Sequence, residues 1–167
     1  MASEKHEAAK VCRILTAQGL AMEERLGKTA TGNAPGRSET LYRRLGGYDA
    51  LAAVVDDFIG RLAADPKLAR FFQGSSTDSR RHRRQLLVDQ LCEAASGPCY
   101  YTGRSMKLSH QGLGITEADW DVMVKHLLES LDEFQVPSRE KQELIAIVSG
   151  TKADIVEAGG GIVPPSR

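Results

Sequence analysis

The chain of 167 residues has little cysteine: Cys12, Cys92 and Cys99 are too few and too scattered for a disulfide framework or a zinc quartet. Cys92 and Cys99, seven apart across a helix end, are expected as buried or idle thiols, bridged only in an oxidising compartment. Excess charge of one sign is lacking as well. Twenty-two Lys+Arg meet 22 Asp+Glu, so the basic surplus that a general polyanion binder sets against phosphates is missing and no nucleic-acid partner is expected. No uninterrupted apolar run approaches the about 18 residues that a spanning helix needs, which excludes a membrane-crossing helix and a membrane partner. The chain has no GxGxxG, no GxxxxGK followed by Ser or Thr, no CxxC and no HExxH. No Ser or Cys lies near a His and a carboxylate in an order that reads as a triad. Asp56 and Asp57 are adjacent, so on a helix they project about 100° apart and do not converge.

What is present is helical. Hydrophobic residues make up 41% and charged residues 26%, a globular balance. From Tyr48 to Ala64, Leu51, Val54, Val55, Phe58 and Leu62 recur at helical spacing and form a core stripe. Gly46 and Gly47 separate this helix from a short one beginning near Thr40, and Asp65-Pro66 ends it. Asp78 or Ser79 is expected to cap a helix running to about Ala95, with Leu87, Leu91 and Ala94 on one side. Ser105 to Gln111 predicts a short helix closed by Gly112 and Gly114. Thr116 to Asp119 resembles a capping box, opening a helix with Trp120, Met123, Val124, Leu127, Leu128, Leu131 and Phe134. Pro137-Ser138 restarts the chain for a last stripe of Leu144, Ile147, Val148 and Ile155. With no alternating β-branched run, the fold class is all-α.

The ends differ from this body. Ala2 to Leu26 is rich in helix formers, and Gly27 to Ser38 reads as a flexible linker, so residues 1–38 form an N-terminal extension. A secretion signal is the other reading of this stretch, but Arg13 and Gln18 interrupt its apolar run. Gly159-Gly160-Gly161 and Pro164-Pro165 make residues 159–167 a loose tail, which leaves residues 39–158 as the domain.

Only four histidines exist, His6, His82, His110 and His126, so protein ligands for a metal come from a small set. His110 is the notable one. It shares a helix face with Met106 at i, i+4 and is followed by Gly112 and Gly114. Read alone it is a surface or satisfied core histidine. A lone imidazole does not hold a free ion tightly, yet it serves as axial ligand to a haem, whose porphyrin brings the other four nitrogens. The run Arg80-Arg81-His82-Arg83-Arg84 reads as a solvated face.

The residues Leu41, Tyr42, Arg44, Leu45, Gly46 and Gly47, then Val54-Val55-Asp56-Asp57-Phe58, then Ala64-Asp65-Pro66 and Phe71-Phe72, resemble the front of a group I truncated haemoglobin. Gly97-Pro98, Tyr101-Thr102-Gly103-Arg104, Met106, His110 and Gly112 to Thr116 resemble its middle, and Leu131 to Phe134 with Val136-Pro137 its end. The resemblance implies a truncated globin, a two-over-two helical sandwich, here with an extra N-terminal helix and linker. It implies haem b (iron protoporphyrin IX) with His110 as proximal iron ligand and Met106 packed beside it. Phe72 would stack on the haem edge next to Phe71. Tyr101 and Arg104 would lie near the propionates, one or two arginines of the 80–84 run would pair with propionates or gate access from solvent, and Ile115, Trp120 and Val148 would wall the pocket.

The chain departs from the family on the distal side. A Tyr is common in the second long helix where this sequence has Ile59, after Phe58, and Leu87 and Leu91 fall where a Gln is common. Arg83 comes nearest to the distal-histidine position, and a shifted register would bring His82, Arg84 or Gln85 closer. The implied function is reversible binding of oxygen, carbon monoxide and nitric oxide over an apolar distal pocket. The alternatives are a gas sensor or interaction module, or a redox haem enzyme with nitric oxide dioxygenase or peroxidase-like activity. Diatomic gases and a reductase are the implied partners. A monomer or weak dimer in the cytoplasm is expected, with a periplasmic or exported protein as the other compartment.

Overall fold

The computed structural model describes residues 39–157; the expected N-terminal helix, linker and terminal tail lie outside them. Every regular element among the described residues is helical, and no helix there is long and apolar enough to cross a membrane. The elements are α1 (Leu41–Arg44), α2 (Gly47–Ala64), a 3₁₀ turn (Ala69–Phe71), α3 (Thr77–Ala94), α4 (Met106–His110), α5 (Glu117–Glu133), α6 (Ser138–Ser149) and α7 (Lys152–Ile155).

Local chemistry sets these boundaries. Gly46 and Gly47 take φ of +95° and +81°, left-handed values that turn the chain sharply into α2 and that only glycine adopts cheaply. Asp65 leaves α2 in an extended conformation, as the residue before a proline prefers, and its Oδ1 accepts from the Lys67 N–H at 2.8 Å. Ser76 caps α3, its Oγ accepting from the Ser79 N–H at 3.1 Å; the cap expected at Asp78 or Ser79 lies inside the first turn instead. The Thr116–Asp119 capping box forms in both directions, with the short Asp side chain still reaching the Thr116 N–H at 2.9 Å.

The expected stripe on α2 is buried whole: Leu51, Val54, Val55, Phe58 and Leu62 all face inward. Helix α2 packs against both α3 and α5, and α5 in turn against α6, so two long-helix pairs share one core. Leu127, Leu131 and Leu144 fill its centre, where each buried Leu contributes about 1.5–3 kcal/mol through removal of apolar surface from water. Helix α1 is tied to α6 by Arg44, which bonds Glu143 at 3.1 Å and lies 3.5 Å from Glu140. Helix α4 packs against α7.

One polar cluster joins the end of α2 to α5. His126 Nε2 lies 3.0 Å from Asp65 Oδ2 and Nδ1 lies 3.0 Å from Glu129 Oε2, with Arg61 reaching Glu129 at 3.5 Å. Hydrogen bonds from the imidazole hold both carboxyls below their ordinary range. A depressed folded-state value adds stability that is complete above the unfolded value and is lost as pH falls through the folded one. Stability should therefore decline below about pH 5. In urea titrations across pH, His126→Leu is expected to flatten that acid limb; a limb as steep as in the wild type would show that the cluster contributes nothing.

Candidate functional site

The four long helices and α4 enclose a cavity of about 550 Å³, within the range of small-molecule and cofactor pockets. Its α2 wall is Phe58, Ile59 and Leu62; its α3 wall is Arg83, Leu86, Leu87, Gln90, Leu91 and Ala94. Leu68, Phe71 and Phe72 come from the turn between them. Tyr101, Met106, Ser109, His110, Leu113 and Ile115 come from α4 and its flanks, and Asp119, Trp120, Met123 and Leu127 from α5. Ile147, Val148, Thr151 and Ile155 complete it.

His110 is placed by a short helix whose start Ser105 caps. Its Nδ1 lies 2.8 Å from the Met106 carbonyl oxygen. A carbonyl only accepts, so Nδ1 carries the proton and donates. The neutral ring then keeps its lone pair on Nε2, and among the described residues that nitrogen has no partner. The backbone carbonyl thus fixes both tautomer and ring orientation, as an outer partner does for a ligating histidine.

The other polar side chains lining the cavity are already engaged. Tyr101 donates to the Arg104 carbonyl at 2.7 Å, Thr151 to the Val148 carbonyl at 2.7 Å, and Gln90 to Met106 Sδ at 3.0 Å. Arg83 donates to Ser75 Oγ at 3.0 Å with its guanidinium 5.3 Å from the centre of the Phe72 ring. Burial opposes ionisation of Asp119, but hydrogen bonds from Thr116 and the Arg70 guanidinium at 2.8 Å outweigh it and hold the carboxyl below its usual range.

Of the residues expected around a cofactor, Phe71, Phe72, Arg83, Leu87, Leu91, Tyr101, Met106, His110, Ile115, Trp120 and Val148 line this one cavity, as do Phe58 and Ile59. Arg104 does not: it is exposed and takes part through its carbonyl, which anchors Tyr101. The residues a shifted register would have brought closer are engaged elsewhere or turned outward. His82 is exposed, Arg84 pairs with Asp56 at 2.5 and 2.8 Å, and Gln85 donates to Tyr48 and Asp89. The sequence reading missed Leu86, Gln90, Leu113 and Thr151 among others. Leu86 and Gln90 neighbour Leu87 and Leu91 on the helix, so a wider arc of α3 was the available signal. Cys92 and Cys99 are not idle thiols: a disulfide joins them, with Cα atoms 5.7 Å apart.

This donor set suits a porphyrin better than a bare ion. Among the described residues no group of three or more His, Cys, Asp or Glu converges as a metal cage. One oriented imidazole in an apolar, aromatic-lined cavity matches a cofactor that brings its own four nitrogens. The profile of the family described as bacterial-like globin matches residues 40–157. The chain belongs to that family, as a group 1 truncated haemoglobin. It is similar to the Group 1 truncated hemoglobin GlbN of Mycolicibacterium paratuberculosis, 33% identical across 74% of this chain and 89% of that one. The crystal structure of truncated hemoglobin from Tetrahymena pyriformis in its Fe(III) form is 28% identical and covers 72% of this chain and 100% of its own, with a TM-score of 0.66. The 2/2 hemoglobin of a Synechococcus species, solved in the cyanomet state with covalently attached heme, is 28% identical, covers 71% and 98%, and has a TM-score of 0.65. The all-helical two-over-two fold of the truncated haemoglobins is therefore that of this chain, and membership implies a haem-binding globin with diatomic gases as ligands.

Gly103 lets the Tyr101 ring into this wall of the truncated haemoglobin. A Cβ at Gly103 would stand 2.3 Å from the Tyr101 ring carbon Cζ and its hydroxyl. Gly103→Ala is expected to swing the ring away and break its bond to the Arg104 carbonyl, costing about 1 kcal/mol in a denaturant titration. A variant crystal structure with Tyr101 in place would contradict this.

Proposed function

We propose that the cavity holds haem b without a covalent bond, through His110 Nε2, and that the protein reversibly binds oxygen, carbon monoxide and nitric oxide there. When bound, the group would supply an iron able to take a diatomic gas. One observation carries the reading: His110 Nε2 is an uncommitted, correctly tautomerised donor in a cavity whose other polar side chains have partners.

The side chains of α2 and α3 set the preference among gases. Phe58, Ile59, Leu62, Leu87 and Leu91 have no hydrogen-bond donor, and we infer that they form the distal wall. Dioxygen becomes polar on binding and gains no side-chain hydrogen bond from this wall, a loss of about 1–3 kcal/mol. Carbon monoxide needs no such bond. Arg83 is the nearest charged donor, and its contacts with Ser75 and Phe72 hold it at the cavity edge. On this reading the protein releases oxygen quickly and works with a reductase that returns the iron to the ferrous state. It acts in the cytoplasm as a monomer or weak dimer.

Ile59→Tyr tests the distal wall by adding the missing hydroxyl. Oxygen dissociation measured by stopped flow is expected to be fast in the wild type and about tenfold or more slower in the variant, since about 1.4 kcal/mol is tenfold. Carbon monoxide dissociation should barely change. A slow wild-type oxygen off-rate that the substitution leaves untouched would overturn the reading.

A further inference from the structure

The connection between α3 and α4 holds few anchors of its own. Ser96, Pro98, Tyr100, Thr102, Arg104 and Ser105 are exposed, Tyr100 to 78%. Among the described residues, no main-chain hydrogen bond between backbone groups involves residues 98–104. Three contacts tether this stretch: Tyr101 in the cavity wall, the Cys92–Cys99 disulfide, and the Ser109 hydroxyl, which donates to the Arg104 carbonyl at 3.5 Å. The disulfide ties two parts of that wall together. Cys92 follows Leu91, and Cys99 lies two residues before Tyr101; Leu91 and Tyr101 both line the cavity. The turn packs tightly around the bond, since a Cβ on Gly97 would stand 2.7 Å from Cys92 Sγ.

We propose that the Cys92–Cys99 disulfide is a redox latch on the cavity, and that opening it loosens the Tyr101 wall and changes gas exchange. Cys92 is fully buried and Cys99 is half-buried, so a thiolate reaches Cys99 Sγ first. A dithiol reductant attacks there and forms a mixed disulfide while Cys92 leaves as thiolate. The reductant's second thiol then displaces Cys99. The S–S bond breaks, the dithiol becomes a disulfide, and the two electrons and two protons it gives up leave Cys92 and Cys99 as thiols. With that tether gone, residues 98–104 keep only Tyr101 and the long Ser109–Arg104 hydrogen bond, and the connection gains the freedom of an unclosed loop. A disulfide in a reducing compartment is more often a sensor than a permanent brace, which agrees with the cytoplasmic setting proposed above.

The gas-exchange half of this inference rests on the proposed haem function; the release of the segment does not. The test uses full-length Cys12→Ser protein in the ferrous carbonyl state, so that iron stays reduced in every sample, with and without dithiothreitol. Thiols counted in denaturant are expected to rise from none to two. Amide exchange of residues 98–104 is expected to quicken, and carbon monoxide dissociation to change by about fivefold or more, the low end of coupling between sites. Cys99→Ser should reproduce the reduced behaviour without reductant. Two free thiols before reduction, or unchanged exchange after it, would overturn the latch. Faster exchange with an unchanged carbon monoxide rate would overturn its link to the cavity. Absence of a carbonyl spectrum would defeat the haem reading, while thiol count and exchange would still decide the latch.

Discussion

The donation from His110 Nδ1 to the Met106 carbonyl is the contact on which the site depends. It lies within one turn of a five-residue helix, so only the local backbone is needed to set it. Its consequence is large for its size. It assigns the proton to one nitrogen, leaves the other as a lone-pair donor and fixes the plane of the ring. A helix this short has no intrinsic stability, so its position comes from Ser105 at its start, Gly112 and Gly114 beyond it, and α7 against its flank.

The remaining architecture surrounds that nitrogen with side chains that do not compete for it. Helix α2 is central because it packs on both α3 and α5 and gives the cavity Phe58, Ile59 and Leu62. Buried charge is kept near the site only where it is fully engaged, as with Asp119 between Thr116 and Arg70. The arginine run at the start of α3 divides by helix geometry. Arg80, Arg81 and His82 face solvent, while Arg83 turns to Phe72 and Arg84 to Asp56. A charge cluster that looks uniform along the chain therefore has separate roles around the helix.

Most of the fold was legible because it rests on periodicity. The spacing of Leu51, Val54, Val55, Phe58 and Leu62 demanded a buried helix face, and the glycine pair and Asp65-Pro66 marked its ends. His110 stood out because so few histidines exist and because its motif resembles the truncated haemoglobins. What was not legible depends on contacts between residues distant in sequence or held in loops. Nothing local pairs His126 with Asp65, 61 positions away. A separation of seven suits either two thiols or a bridge, and only the turn through Gly97 brings Cys92 and Cys99 together. Arg104 was expected at the cavity from its motif, but in an irregular segment period says nothing about which way a side chain points.

The central claim is that one nitrogen, His110 Nε2, holds the cofactor's iron. The direct measurement is resonance Raman and absorption of the ferrous protein beside His110→Ala. The account predicts a five-coordinate, histidine-ligated iron in the wild type, lost in the variant and restored by added imidazole. A variant that kept the wild-type iron–histidine signature would contradict it.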